Sequence, residues 1–264
     1  MTAEQPGRAE LLRDIRRILV RERELFGDAL LIEPVQRREP MNKGVKSVQR
    51  SPADEPALFE FPAQPPPPLT DEAWGQSETL TALHDSICTC VKCPLGHTRT
   101  KFVFGTGNPA ATLMVIGEAP GADEDAQGEP FVGRAGQLLN KILEAIGFKR
   151  EDVYICNILK CRPPGNRKPL GEEVDLCIPY LRKQIALVRP RVILALGLTA
   201  AENLLSTTES LGRLRGRVLQ YEGTPLMVTY HPAALLRNPN WKRPTWEDVQ
   251  ALRKLHDELV AKGR

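Results

Sequence analysis

The sequence carries little net charge for its size. Across 264 residues, 36 Lys and Arg stand against 33 Asp and Glu, leaving a formal charge of only +3. A polyanionic partner must therefore be met by a local basic face, because the field of the whole molecule is weak. No apolar run approaches the length of about 20 residues that a membrane-crossing helix requires. The N-terminus also lacks a charged-then-apolar signal pattern. These absences predict a soluble protein of the cytosol with no membrane partner. No internal repeat is evident either, so a stacked-repeat architecture is not expected.

The length suits one ordinary domain plus an extension. In residues 9–26, Leu11, Leu12, Ile15, Leu19 and Phe26 recur at helical spacing among Arg and Glu. This predicts an amphipathic helix within an N-terminal extension, residues 1–32, that docks on its own domain, on another copy or on a protein partner. Residues 33–75 are dominated by Pro, Gln and charge and include Pro65, Pro66, Pro67 and Pro68. They read as a linker, extended around the proline run and disordered elsewhere. The remainder, 76–264, reads as the globular domain. Ser77 is a candidate N-cap for a helix with Leu80, Leu83 and Ile87 on one face. Apolar runs at 112–116, 153–159, 192–196 and 225–230 alternate with helical patterns at 134–146, 172–188, 199–205 and 245–261. Such alternation predicts an α/β fold with a central, parallel, doubly wound four-stranded sheet. Residues 215–223 break the pattern and predict a short extended pair with the strand that follows.

Between the first apolar run and its helix lies GEAPGADEDAQGEPFVGRAGQ, residues 117–137. A turn rich in Gly and Pro at the carboxyl end of a strand is where α/β sheets place ligands. Glu118, Asp123, Glu124, Asp125 and Glu129 crowd it, a concentration of like charge that is costly unless used. All six cysteines lie in the central part of the chain. Cys90 and Cys93 form a C-x-x-C pair, and Cys161 and Cys177 arrive from distant segments. In a reducing compartment this suggests metal ligation, either zinc or an iron–sulfur cluster, and spacing alone does not choose. Cys156, inside a strand, reads as core, and Cys88 is an alternative first ligand.

Taken together, GEAPGADED with PFVGRAGQLL, then NILKCRPPGNRKP, then HPAALLRNP resemble the family 4 uracil-DNA glycosylases, the iron–sulfur branch of that superfamily. The similarity covers roughly Cys90 to Leu255 and leaves the first 76 residues outside. It implies a three-layer α/β/α domain with a [4Fe–4S] cluster on Cys90, Cys93, Cys161 and Cys177. The implied reaction is hydrolysis of the N-glycosidic bond of deoxyuridine after the nucleotide is flipped out of single- or double-stranded DNA. By the same resemblance, Asn157 reads uracil O4 and N3–H, Phe131 stacks on the base, and Glu124 occupies the space a thymine methyl would need. Glu118 is the catalytic carboxylate beneath the sugar, and His231 donates to uracil O2 as the leaving anion forms. Leu235 and Leu236, read as loop residues, form a wedge that fills the vacated stack, with Arg237 on phosphate. Arg162, Arg167, Lys168, Arg213, Arg215 and Arg217 are candidates to extend the basic face.

The branch of the superfamily that traps its product through a histidine in an inserted loop is disfavoured, because residues 160–164 run on without an insertion or a His. A metal-bearing DNA-binding protein without catalysis is the rival from another class, and a member accepting other deaminated bases the rival within it. An electron-transfer protein has little support, since no second redox motif occurs. The expectation is a monomeric, monofunctional glycosylase of base-excision repair.

Overall fold

The computed structural model describes residues 72–263. The expected helix at 9–26 and the linker as far as residue 71 lie outside the described residues. A 3-10 turn, Ala73–Gln76, comes first and buries Trp74 edge-on against Tyr180, with ring centroids 4.8 Å apart. The last residues of the stretch read as linker thus belong to the folded domain. Helix α1 (Leu80–Ile87) is capped by Thr79, whose Oγ1 accepts from the Ala82 N–H at 3.1 Å. Ser77, the expected cap, instead closes the preceding turn, donating its N–H to the Trp74 carbonyl.

The strands are β1 (Thr106–Gly107), β2 (Leu113–Gly117), β3 (Tyr154–Asn157), β4 (Val192–Leu196), β5 (Leu219–Tyr221) and β6 (Thr224–Thr229), in sheet order β1-β3-β2-β4-β6-β5. The four central strands, β3-β2-β4-β6, are parallel as expected. Every residue of β2, β3 and β4 is buried. With helices on both faces of the sheet, strands cannot alternate polar and apolar, so they read as continuous apolar runs. The sheet nevertheless has six strands, because an antiparallel strand closes each edge. β5 pairs with β6, matching the break at 215–223, whereas the two-residue β1 on β3 is too short to show any periodicity.

The helices beyond α1 are α2 (Leu95–Thr98), α3 (Ala122–Gln127), α4 (Arg134–Ala145), α5 (Gly171–Val188), α6 (Leu198–Leu205), α7 (Leu211–Leu214), α8 (Pro232–Arg237) and α9 (Lys242–Ala261). Among the described residues, no helix is long and apolar enough to cross a membrane. From β2 the chain steps to β3 on one side and later returns to β4 on the other. At such a reversal the carboxyl ends of the strands leave a crevice. Gly117 pairs in register with Asn157. The Ile158 N–H then donates to the Gly117 carbonyl at 3.0 Å and the Leu159 N–H to the Glu118 carbonyl at 3.1 Å, carrying the pairing past the strand ends.

Candidate active site

At that crevice lies a cavity of about 360 Å³, within the range of small-molecule sites. Glu118, Glu124, Phe131, Asn157, His231 and Arg237 all line it. They come from the ends of β2, β3 and β6, from the segment after β2 that includes α3, and from the last residue of α8, so six of the residues singled out in the sequence converge on one space.

Phe131 is held with care. Its φ of 53° is positive, a conformation that costs a side-chain-bearing residue about 1–3 kcal/mol. Two side chains clamp the backbone around it. Arg150 donates to the carbonyls of Pro130 (2.6 Å) and Phe131 (3.2 Å) and to Asn140 Oδ1 (3.0 Å). Glu124 Oε1 accepts from the N–H groups of Val132 and Gly133, both at 3.0 Å, while Oε2 accepts from Gly121 N–H at 3.1 Å. The carboxylate expected beside the base thus also fixes the loop that presents the ring. Two glycines make room. A Cβ on Gly136 would stand 1.8 Å from the Phe131 carbonyl oxygen, and one on Gly117 would stand 2.5 Å from Phe131 Cζ.

Asn157 is 2% exposed, and its Oδ1 has no hydrogen-bond partner among the described residues. A buried amide oxygen left unpaired costs about 1–3 kcal/mol, so it marks a place where a ligand donor belongs. Its backbone carbonyl is satisfied, accepting from Lys160 Nζ at 2.8 Å.

His231 is the N-cap of α8, and its Nδ1 accepts from the Ala233 N–H at 3.2 Å. Burial, reinforced by Arg237 and opposed by Glu124, pushes its pKa down to about 4. The ring is therefore neutral near pH 7. Since Nδ1 is the acceptor, the assigned tautomer carries its proton on Nε2. The ring centroid lies 5.5 Å from that of Phe131.

Four of the cysteines interact with one another. Cys161 is in electrostatic reach of Cys93 and Cys90, and Cys177 of Cys161 and Cys93. Burial raises the pKa of Cys161 and pushes that of Cys177 up to about 12. Positive and polar groups point at the sulfurs: Arg99 Nη1 lies 3.4 Å from Cys161 Sγ, and the Tyr180 hydroxyl lies 3.3 Å from Cys90 Sγ. Arg99 also donates to the carbonyls of Cys88 and Cys90, pinning the C-x-x-C turn to the start of the next segment. Cys88 turns its thiol to the Asp85 carbonyl instead, and Cys156 is fully buried in the core. No three His, Cys, Asp or Glu side chains among the described residues converge on a point suited to a single metal ion.

Residues 104–255 match the family model described as the uracil DNA glycosylase superfamily. The chain belongs to this superfamily. It is 48% identical over 170 residues to a type-4 uracil-DNA glycosylase of Pyrobaculum aerophilum, covering 61% of this chain and 86% of that protein. A type-4 uracil-DNA glycosylase of Archaeoglobus fulgidus is 42% identical over 67% of this chain and 94% of its own length. One from Thermotoga maritima is 41% identical, with the same two coverages.

Several expectations for this superfamily member are corrected by the structure. Leu235 and Leu236 lie on helix α8, with Pro232 at its first turn, and not in a loop. Six residues are too few to display helical periodicity in sequence. Leu235 is 1% exposed and belongs to the core, whereas Leu236 is 41% exposed. Arg215 does not extend a basic face: it is largely buried, with Nε 2.7 Å from Asp248 Oδ2. Arg167 lines the cavity but is held bidentately by Glu173 at 2.9 and 2.6 Å, and Lys168 pairs with Glu202. The acidic turn also resolves, since buried Asp125 accepts from the Thr100 N–H at 2.9 Å and Glu129 attracts Arg150. Sequence reasoning missed Arg150, Arg99, Lys160 and Gln184. A lysine set between an apolar run and a cysteine, as in ILKC, was the one signal available for them.

Proposed function

We propose that this chain is a monofunctional uracil-DNA glycosylase of base-excision repair, which flips deoxyuridine out of DNA and hydrolyses its N-glycosidic bond. The observation that carries the reading is the unpaired amide of Asn157 beside the Phe131 ring in a cavity of small-molecule size. Uracil offers N3–H to Oδ1 and O4 to the amide N–H. Cytosine presents the opposite pattern at both positions, leaving buried groups unpaired at about 1–3 kcal/mol each. Phe131 stacks on the base, and Glu124 fills the space beside C5.

As the C1′–N1 bond breaks, positive charge grows on the sugar and negative charge on uracil. Glu118 stabilises the first and orients the water whose oxygen bonds to C1′. The His231 Nε2–H donates to O2 and stabilises the departing anion, an interaction worth about 3 kcal/mol of barrier. Leu236 fills the gap in the stack, and Arg237 meets phosphate. The product is an abasic site and free uracil.

Cys90, Cys93, Cys161 and Cys177 would hold a [4Fe–4S] cluster, which would supply a cross-link between distant segments, outside the bond-cleavage chemistry. The donor set suits it in kind: the Cys161 thiol interacts with those of Cys90 and Cys93 and the Cys177 thiol with those of Cys161 and Cys93, with Arg99 and Lys160 near them to balance thiolate charge. The test is uracil release from a uracil-containing single strand. The wild type releases uracil, and Asn157→Ala and His231→Ala lose about a hundredfold or more of the rate while still binding DNA. Wild-type protein that binds the strand normally and releases no uracil overturns the proposal in favour of a non-catalytic DNA-binding protein.

A further inference from the structure

Between the cavity and the cysteines lies a side chain to which the reaction assigns no part. Lys160 is 0% exposed. Its Nζ donates to the Asn157 carbonyl at 2.8 Å and to Gln184 Oε1 at 2.5 Å. Gln184 is fixed in turn, donating to the Phe104 carbonyl and to the Tyr154 hydroxyl, both at 3.0 Å. Lys160's own carbonyl accepts from the Val103 N–H at 2.9 Å. Among the described residues no carboxylate pairs with it. The groups that face it are the sulfurs of Cys156, Cys177 and Cys161.

A lysine sealed in an apolar interior without a counter-charge is strongly unfavourable. Ligating thiolates at Cys161 and Cys177 would supply that charge, and Cys161 is the next residue in the chain. The other end of the same side chain holds the Asn157 carbonyl. The Asn157 Oδ1 makes no hydrogen bond among the described residues, so its placement depends on how firmly its backbone is held. A reading amide discriminates only if it cannot shift to suit the wrong base.

We propose that Lys160 is a positioning residue that ties the backbone of Asn157 to the four-cysteine site, so that loading of the cysteines and placement of the uracil-reading amide are set together. This rests on the roles given above to Asn157 and to the four cysteines. The side chain touches neither base nor sugar, and it acts only through Asn157.

The experiment compares full-length wild type with Lys160→Met, which keeps length and apolar bulk but removes both hydrogen bonds. Three quantities are read: the rate at which a chelator bleaches the visible absorbance, inhibition by free uracil, and affinity for uracil-free DNA. Lys160→Met should bleach about tenfold faster and bind free uracil about tenfold more weakly, with affinity for uracil-free DNA unchanged. Faster bleaching with unchanged uracil binding would reduce Lys160 to a counter-charge, and weaker uracil binding with unchanged bleaching would reduce it to a local brace; either result, or no change in both, overturns the proposal. Should Lys160→Met fail to fold, Gln184→Met, which removes one acceptor and leaves the lysine, decides: smaller shifts of the same sign in both readouts support the proposal, and a shift in only one or in neither overturns it. A colourless wild type, or one that free uracil does not inhibit, would instead remove the reading beneath the proposal.

Discussion

Gly117 leaves the space that Phe131 occupies: a Cβ there would lie 2.5 Å from Phe131 Cζ and 2.4 Å from Asn157 Oδ1. The stacking ring and the reading amide therefore share one wall, and that wall is bare backbone. Gly117→Ala should displace both, raise KM for uracil-containing DNA and cost about 1–3 kcal/mol of stability through overpacking. Steady-state kinetics and a denaturant titration check this together.

Arg150 and Glu124 hold consecutive residues of the Phe131 loop. The positive φ of Phe131 persists only while that clamp does. Arg150→Met removes three hydrogen bonds remote from the chemistry. It should lower kcat/KM about tenfold or more, with KM carrying most of the change, and affinity for uracil-free DNA should stay the same.

His231 titrates near 4 in the folded protein and has an ordinary value of 6.5. Between those values the unfolded chain binds the proton and the folded one does not. The stability associated with this ring is thus complete above pH 6.5 and declines as the pH falls toward 4. Unfolding free energies measured between pH 8 and 4 should fall less steeply in His231→Asn than in wild type. For the same reason, the wild-type pH–rate profile should show no acidic limb near 6.5 from this residue.

The two leucines of α8 separate cleanly. Leu235→Ala should destabilise the fold by about 2–5 kcal/mol, as expected for a buried leucine. Leu236→Ala should leave the melting temperature unchanged and slow uracil release from duplex more than from single strand, since only the duplex has a gap to fill. Thermal melts and parallel assays on the two substrates distinguish the residues.

The strand–helix alternation and the four parallel strands were legible in the chain, whereas the six cavity residues were named through the motifs that resemble a known family. Buried parallel strands announce themselves as apolar runs, and residues at strand ends meet at one edge of a sheet whatever the details. Ser77 and Thr79 show where legibility ends, because both are good caps and only the preceding turn selects between them. Leu235 and Leu236 are adjacent and chemically identical, yet one is core and the other is exposed.

What the sequence by itself determined is the architecture, the family and the list of chemical groups at the site, because local patterns and motif residues express these directly. What only the tertiary structure decided is the set of long-range supports: Arg150 on the Phe131 loop, Arg215 turned inward to Asp248, Arg99 across the cysteines, and Lys160 between Asn157 and Gln184. A long charged side chain looks the same in sequence whether it meets solvent, phosphate or a buried carbonyl. Its partner is set by which distant backbone the fold brings within about 3 Å of its end.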